Sequence, residues 1–142
     1  MDNQNIHKTN ENLIRDYFNK LWNRGELDCI SEIIDCNYIN HSPGGRNPEP
    51  GPSGLKPIIE EIRAGFPDLN YEIEDLIITK DKVVARVTMT ATHLGELWGI
   101  NPSGAKIKVN QINIEKISNG KIVEHWRVTD ELLLMKQLGV IS

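Results

Sequence analysis

The spacing of the apolar residues changes at about Leu69 from the 3.6-residue period of helices to the alternation of strands. Beyond that point the runs NYEIEDLIIT, KVVARVTMTATH, AKIKVNQINIEKI and KIVEHWRVTD are rich in β-branched residues and read as four long strands. Asp81-Lys82 and Asn119-Gly120 are hairpin connections, and the second is a dipeptide that readily takes the two positive φ angles of a tight turn. The longer link LGELWGINPSG is apolar enough to fold over something.

Before Leu69 the chain reads as helices. Leu13, Ile14, Tyr17, Phe18, Leu21 and Trp22 lay one apolar stripe along residues 10–23, with Thr9 or Asn10 as N-cap and Gly25 as the stop. A short helix over 27–34 buries Leu27, Ile30, Ile33 and Ile34 and ends near Cys36. The Pro- and Gly-rich segment 42–54 is a loop, and a third helix starts near Leu55 because Pro57 is tolerated in a first turn. The tail DELLLMKQLG closes the chain as a final helix. Helices followed by an antiparallel meander predict an α+β fold with helices against one face of a curved sheet, and 142 residues suit a single domain over 1–142.

Several classes of function are excluded or disfavoured at this level. The net charge of −4 is spread without a basic stripe, which argues against nucleic acid as a partner. No apolar run reaches the ~18 residues of a membrane span, and the amino terminus lacks a secretion signal, so no membrane partner and a cytoplasmic location are expected. Cys29 and Cys36 stand seven residues apart. On one helix that separates them by roughly 10 Å, too far for a disulfide, and predicts two buried reduced thiols. The scattered histidines form no metal pattern, and prolines interrupt the glycines of 42–54, so no phosphate-cradling loop is present.

Five strings in this order, YFNKLWNRGELDCISEII, YINHSP, GPSGLKPIIEEIRAGFPDL, ATHLGELWGINPSGAKI and GKIVEHWRVTD with LLLMKQLG, resemble the SnoaL-like polyketide cyclase and ester cyclase family of the nuclear transport factor 2-like superfamily. The resemblance runs from about Asn12 to Gly139. It implies a cone in which bent sheet and helices enclose an apolar cavity, and homodimers formed through the outer face of the sheet. It also implies a cofactor-free and metal-free intramolecular aldol closure, with Asp130 in the place of the acid/base aspartate. Two positions depart from the family pattern: Gln111-Ile112-Asn113 replaces a glutamine and a histidine, and Arg127 stands where an aspartate often follows the tryptophan.

Strict alternation back from Asp130 puts Val128, Trp126, Glu124 and Ile122 on its face, which gives an aspartate desolvated by an aromatic wall. Asp130 alternatively caps the final helix. The same alternation sends Val123, His125 and Arg127 to the outer face. His41 is a candidate second acid/base or polar contact, with a loop histidine as the alternative. Gln111 and Asn113 are candidate binders of substrate oxygens, Trp126 a pocket wall, Trp98 a lid, and Tyr17 the helix residue whose hydroxyl reaches inward. His93 reads equally as turn support or ligand contact. Together these predict an enclosed cavity for a small apolar carbonyl compound and an enzyme of polyketide-cyclase type, cofactor-independent, using Asp130 and His41. The alternative is a non-catalytic ligand-binding or protein-interaction module on the same fold.

Overall fold

The computed structural model describes residues 2–142. Its first helix, α1 (Asn3–Asp16), opens where the Asp2 carboxylate accepts from the Asn5 N–H at 2.9 Å. The helix thus starts earlier than its apolar stripe, because a capped polar turn needs no buried face to extend a helix. Neither Thr9 nor Asn10 is the cap. Asn10 is buried, and its amide donates to the Thr79 and Lys80 carbonyls at 3.1 and 3.0 Å, latching α1 to a distant turn. The helix widens to a π-helical segment over Tyr17–Asn23, in which Tyr17, Phe18, Leu21 and Trp22 are all buried.

The next stretch corrects the expectation of one helix through Cys36. A 3₁₀ turn over Leu27–Cys29 leads into α2 (Ile30–Ile33), and the chain then extends at once as β1 (Ile34–Asn40). Ile34 pairs with Ile122, so the ladder available to the β-branched run outweighs its helical spacing. Cys29 and Cys36 are both free thiols, as expected, yet Cys36 is exposed on a strand instead of buried on a helix. Helix α3 (Pro52–Gly65) begins with Pro52 in its first turn, three residues before Leu55. Pro57 therefore lies inside the helix, where it leaves the Ser53 carbonyl without its usual donor.

Strands β2 (Asn70–Ile78), β3 (Lys82–Thr92), β4 (Lys106–Ser118) and β5 (Lys121–Thr129) form an antiparallel meander, and β1 joins it parallel to β5. The spatial order is β1-β5-β4-β3-β2, an open curved sheet with the helices on its concave side, closed off by α4 (Glu131–Gln137). This is the α+β arrangement that the change of period predicts. Asn119 and Gly120 have φ of 50° and 76° and make the expected tight turn between β4 and β5.

On β4 the inward residues are Ile107, Val109, Gln111, Asn113, Glu115 and Ile117, so the inner face is apolar at both ends and polar in the middle. Strand β5 opposite does not alternate strictly. Ile122 pairs with Ile117, but Glu124 pairs with Lys116, so Val123 is an extra residue in a bulge. A one-residue insertion exchanges the two faces of everything after it. Consequently His125, Arg127 and Thr129 face inward opposite Glu115, Asn113 and Gln111, while Glu124, Trp126 and Val128 face outward. This overturns the assignment of His125 and Arg127 to the outer surface and of Trp126 to the pocket side.

Candidate functional site

A cavity of about 230 Å³ lies between the concave face of the sheet, α3 and α4. Its base is mostly apolar and buried: Trp22, Phe66, Tyr71 and Met89 are each no more than 5% exposed. The widened helical turn supplies Trp22, and Asn23 fixes that turn to β2, accepting from the Tyr71 N–H at 2.6 Å and donating to the Tyr71 carbonyl at 3.0 Å. Leu134 and Met135 of α4 cover one side. The cavity opens to the surface, since Gly44 and Glu131 on its rim are exposed, so it is not the sealed chamber expected.

Trp98 lines the opening from a tight turn in which Leu97 and Ile100 exchange backbone hydrogen bonds at 3.1 and 2.8 Å. Trp98 and Gly99 there have φ of 53° and 77°, and a left-handed conformation is costly for a bulky side chain. The loop rests on the end of α3, where Gly95 donates to the Gly65 carbonyl at 3.1 Å and a Cβ on Gly95 would stand 2.1 Å from the Ala64 oxygen. His93 holds the base of this loop, fully buried with Nδ1 3.1 Å from the Ser103 hydroxyl. Its role is turn support.

The polar groups on the inner face fall in two tiers. In the upper tier Gln111, Arg127 and Thr129 line the cavity. The Gln111 amide is 5% exposed, and its nitrogen lies 3.8 Å from the Met89 thioether and within reach of the Tyr71 hydroxyl, so the amide stands among polar and polarisable groups at the cavity wall. Asn113 lies just beneath, donating weakly to Gln111 Oε1 at 3.5 Å, and is buried without lining the cavity. In the lower tier Glu115 Oε1 is 2.6 Å from His125 Nδ1, with Tyr17 and Tyr38 beside them. Burial pushes the Glu115 carboxyl above its ordinary range, against the opposing pull of His125 and Arg127. Burial and then the Glu115 charge raise both tyrosine hydroxyls.

The sequence candidates divide between these places. Gln111 and Trp98 reach the cavity, whereas Asn113 and Tyr17 belong to the packed interior below it. His41 and Trp126 lie outside: their rings stack on the outer face with centroids 4.7 Å apart, and His41 Nε2 is 2.9 Å from Glu124 Oε1. His41 and Lys116 hold the Glu124 carboxylate below its ordinary range. Asp130 is exposed and caps α4, its Oδ1 accepting from the Leu133 N–H at 3.3 Å. It does not line the cavity.

Sequence reasoning missed Arg127, Thr129 and Glu131 as cavity residues, and Arg46 of the loop over 42–54, whose guanidinium pairs with Glu61 at the rim. Glu131 is the sole carboxylate among the residues lining the cavity. Among the described residues no cluster of His, Cys, Asp or Glu has the geometry to hold a metal ion.

With this geometry in view, comparison with known proteins finds that the model of the family described as SnoaL-like polyketide cyclase matches residues 12–138. The aklanonic acid methyl ester cyclase of Streptomyces peucetius is 27% identical over 121 residues, which span 83% of each chain. The nogalonic acid methyl ester cyclase of Streptomyces nogalater is 26% identical over 120 residues, 83% of this chain and 89% of that one. Among solved structures, TsrD from Streptomyces laurentii superposes with a TM-score of 0.85 at 28% identity, covering 94% of this chain and 97% of its own.

Proposed function

The chain belongs to the SnoaL-like polyketide cyclase family, and from that premise we propose that it closes a ring in a compact polyketide-type carbonyl compound by acid/base chemistry on the residues of its own cavity. The observation that carries this reading is the meeting, in one largely apolar cavity, of a carboxylate at the rim and the Gln111 amide on the inner face of the sheet. The relatives named for methyl ester cyclisation support the reaction class.

In this reading Glu131 is the proton acceptor. It removes a C–H proton lying between two carbonyl groups, and the electron pair moves into the adjacent carbonyl to give an enolate. Donors on the Gln111 amide and the Thr129 hydroxyl stabilise the oxygen on which charge develops. The enolate carbon attacks the second carbonyl, a carbon–carbon bond forms, and the new alkoxide takes the proton back from Glu131. Atoms and electrons balance within the substrate, so the step consumes no co-reactant. The apolar walls hold the two reacting carbons together, which converts a collision into a local rearrangement.

Asp130 then acts through position: as the cap of α4 it fixes the first turn on which Glu131 stands. Turnover of a panel of β-dicarbonyl and polyketide-like substrates tests the assignment. Glu131→Gln is expected to lower kcat by about 10²- to 10⁴-fold, the usual worth of a positioned base, with binding preserved. Full activity in Glu131→Gln would remove Glu131 as the base, and absence of any conversion by the wild type would favour a ligand-binding role for the fold.

A further inference from the structure

Arg127 stands on the inner face of β5 and lines the cavity, but among the described residues no carboxylate lies within ion-pair distance of its guanidinium. Its guanidinium donates from Nη2 to the Ser42 carbonyl at 3.3 Å, a long bond to a neutral group. The second arginine lining the cavity, Arg46, is neutralised by Glu61. The buried Glu115 carboxyl feels the Arg127 charge, yet its Oε1 is taken by His125 and the two form no ion pair. A permanently charged guanidinium, half-buried in a largely apolar cavity and without an ion-pair partner, keeps its fork free for an anion that enters.

We infer that the ligand of this cavity is an anion, a free carboxylic acid whose carboxylate seats on Arg127 with its apolar body against Trp22, Phe66 and Met89. A planar carboxylate matches the guanidinium fork in a two-point, charge-assisted contact, and Gln111 at the same level offers an additional N–H. Glu131 at the rim opposes a second negative group, which sets the orientation: carboxylate inward, reacting carbonyls toward the opening. A neutral ester of the same acid forgoes the charge-assisted contact with Arg127. The inference rests on the cavity being the substrate site, as proposed above, and adds the charge state of what it takes.

Calorimetric titration with 2-naphthoate and with methyl 2-naphthoate at neutral pH tests both layers separately. Wild-type protein is expected to bind the acid about 10- to 100-fold tighter than the ester, the scale of a charge-assisted contact. Arg127→Gln should abolish that preference by weakening the acid alone, and Arg127→Lys, which keeps a charge without the fork, should retain part of it. Thermal melting checks that each variant is folded, and the ester serves as a second control because its affinity should not change. Equal binding of acid and ester, or a preference that survives Arg127→Gln, would overturn the anion assignment and leave the cavity as a ligand site. Failure of both probes to bind would overturn the two together.

Discussion

Glu115 and His125 face each other in register on β4 and β5, with Oε1 and Nδ1 2.6 Å apart and the two side chains 0% and 2% exposed. The second oxygen, Oε2, and the nearby Tyr38 hydroxyl are buried without partners. A carboxylate in that setting has lost most of its hydration, which pushes its pKa up against the opposing pull of His125 and Arg127.

The pH dependence of stability follows with a definite sign. Because the folded-state pKa of Glu115 is raised above its ordinary 4.5, the native chain holds a proton that the unfolded chain has released at the same pH. The stability this group contributes is therefore full below about pH 4.5 and is lost as pH rises through the folded value. Glu115→Gln, which cannot titrate, should show a flatter profile. Chemical denaturation of both proteins between pH 4 and 8 is expected to give a wild-type advantage that shrinks with rising pH, and an advantage that grows would contradict it.

Asp130 and Glu131 are adjacent and separable. Asp130→Asn should leave both turnover and melting temperature nearly unchanged, because asparagine caps a helix about as well as aspartate. Asp130→Ala should cost about 1 kcal/mol by leaving the Leu133 N–H without its acceptor, with kcat falling only as α4 loosens. Loss of turnover in Asp130→Asn with an unchanged melting curve would restore Asp130 as the base.

The fold was legible in the sequence because period carries it: helical spacing before Leu69, alternation after it, and Asn119-Gly120 at the β4–β5 turn. The site was less so, for a reason visible on β5. Past the bulge at Val123 the residues alternate polar and apolar, and the apolar pair Trp126 and Val128 looks like the buried set. The concave face here is polar, however, matched to Gln111, Asn113 and Glu115, so the apolar pair faces outward. No residue type marks an inserted strand position when both faces alternate equally well. Gln111 is legible because its parity on the regular strand β4 is unbroken, whereas the parity of Arg127 on the bulged strand β5 points to the wrong face.

The turn at Trp98 predicts a trade between stability and binding. Both central residues have positive φ, a geometry suited to asparagine followed by glycine and poorly suited to tryptophan. Trp98→Asn would create that pair and should raise stability by about 1 kcal/mol, the scale of the left-handed penalty. It should also weaken ligand binding, because the indole lines the opening. A variant that melts lower, or binds 2-naphthoate as tightly as the wild type, would show that Trp98 is a loop anchor.

The outer face of β4 and β5 is the surface from which a homodimer is expected. Ile112 and Val128 pair directly across the two strands and are 50% and 75% exposed, and Trp126 pairs with Ile114 two rungs along on the same face. Ile39 of β1 extends the patch at 48% exposure, and the stacked rings of His41 and Trp126 add a flat aromatic surface. Among the described residues no helix covers this side, and an apolar face bordered by the charged Glu124 and Lys116 suits a protein contact. Two copies related by a twofold axis would each bury the same patch, so one substitution acts twice. Light scattering at micromolar concentration should give twice the monomer mass for the wild type, and Val128→Lys, which sets like charges against each other at the contact, should give the monomer with the cavity ligand still bound. A wild-type monomer would refute the interface, and a Val128→Lys dimer would move it to another face.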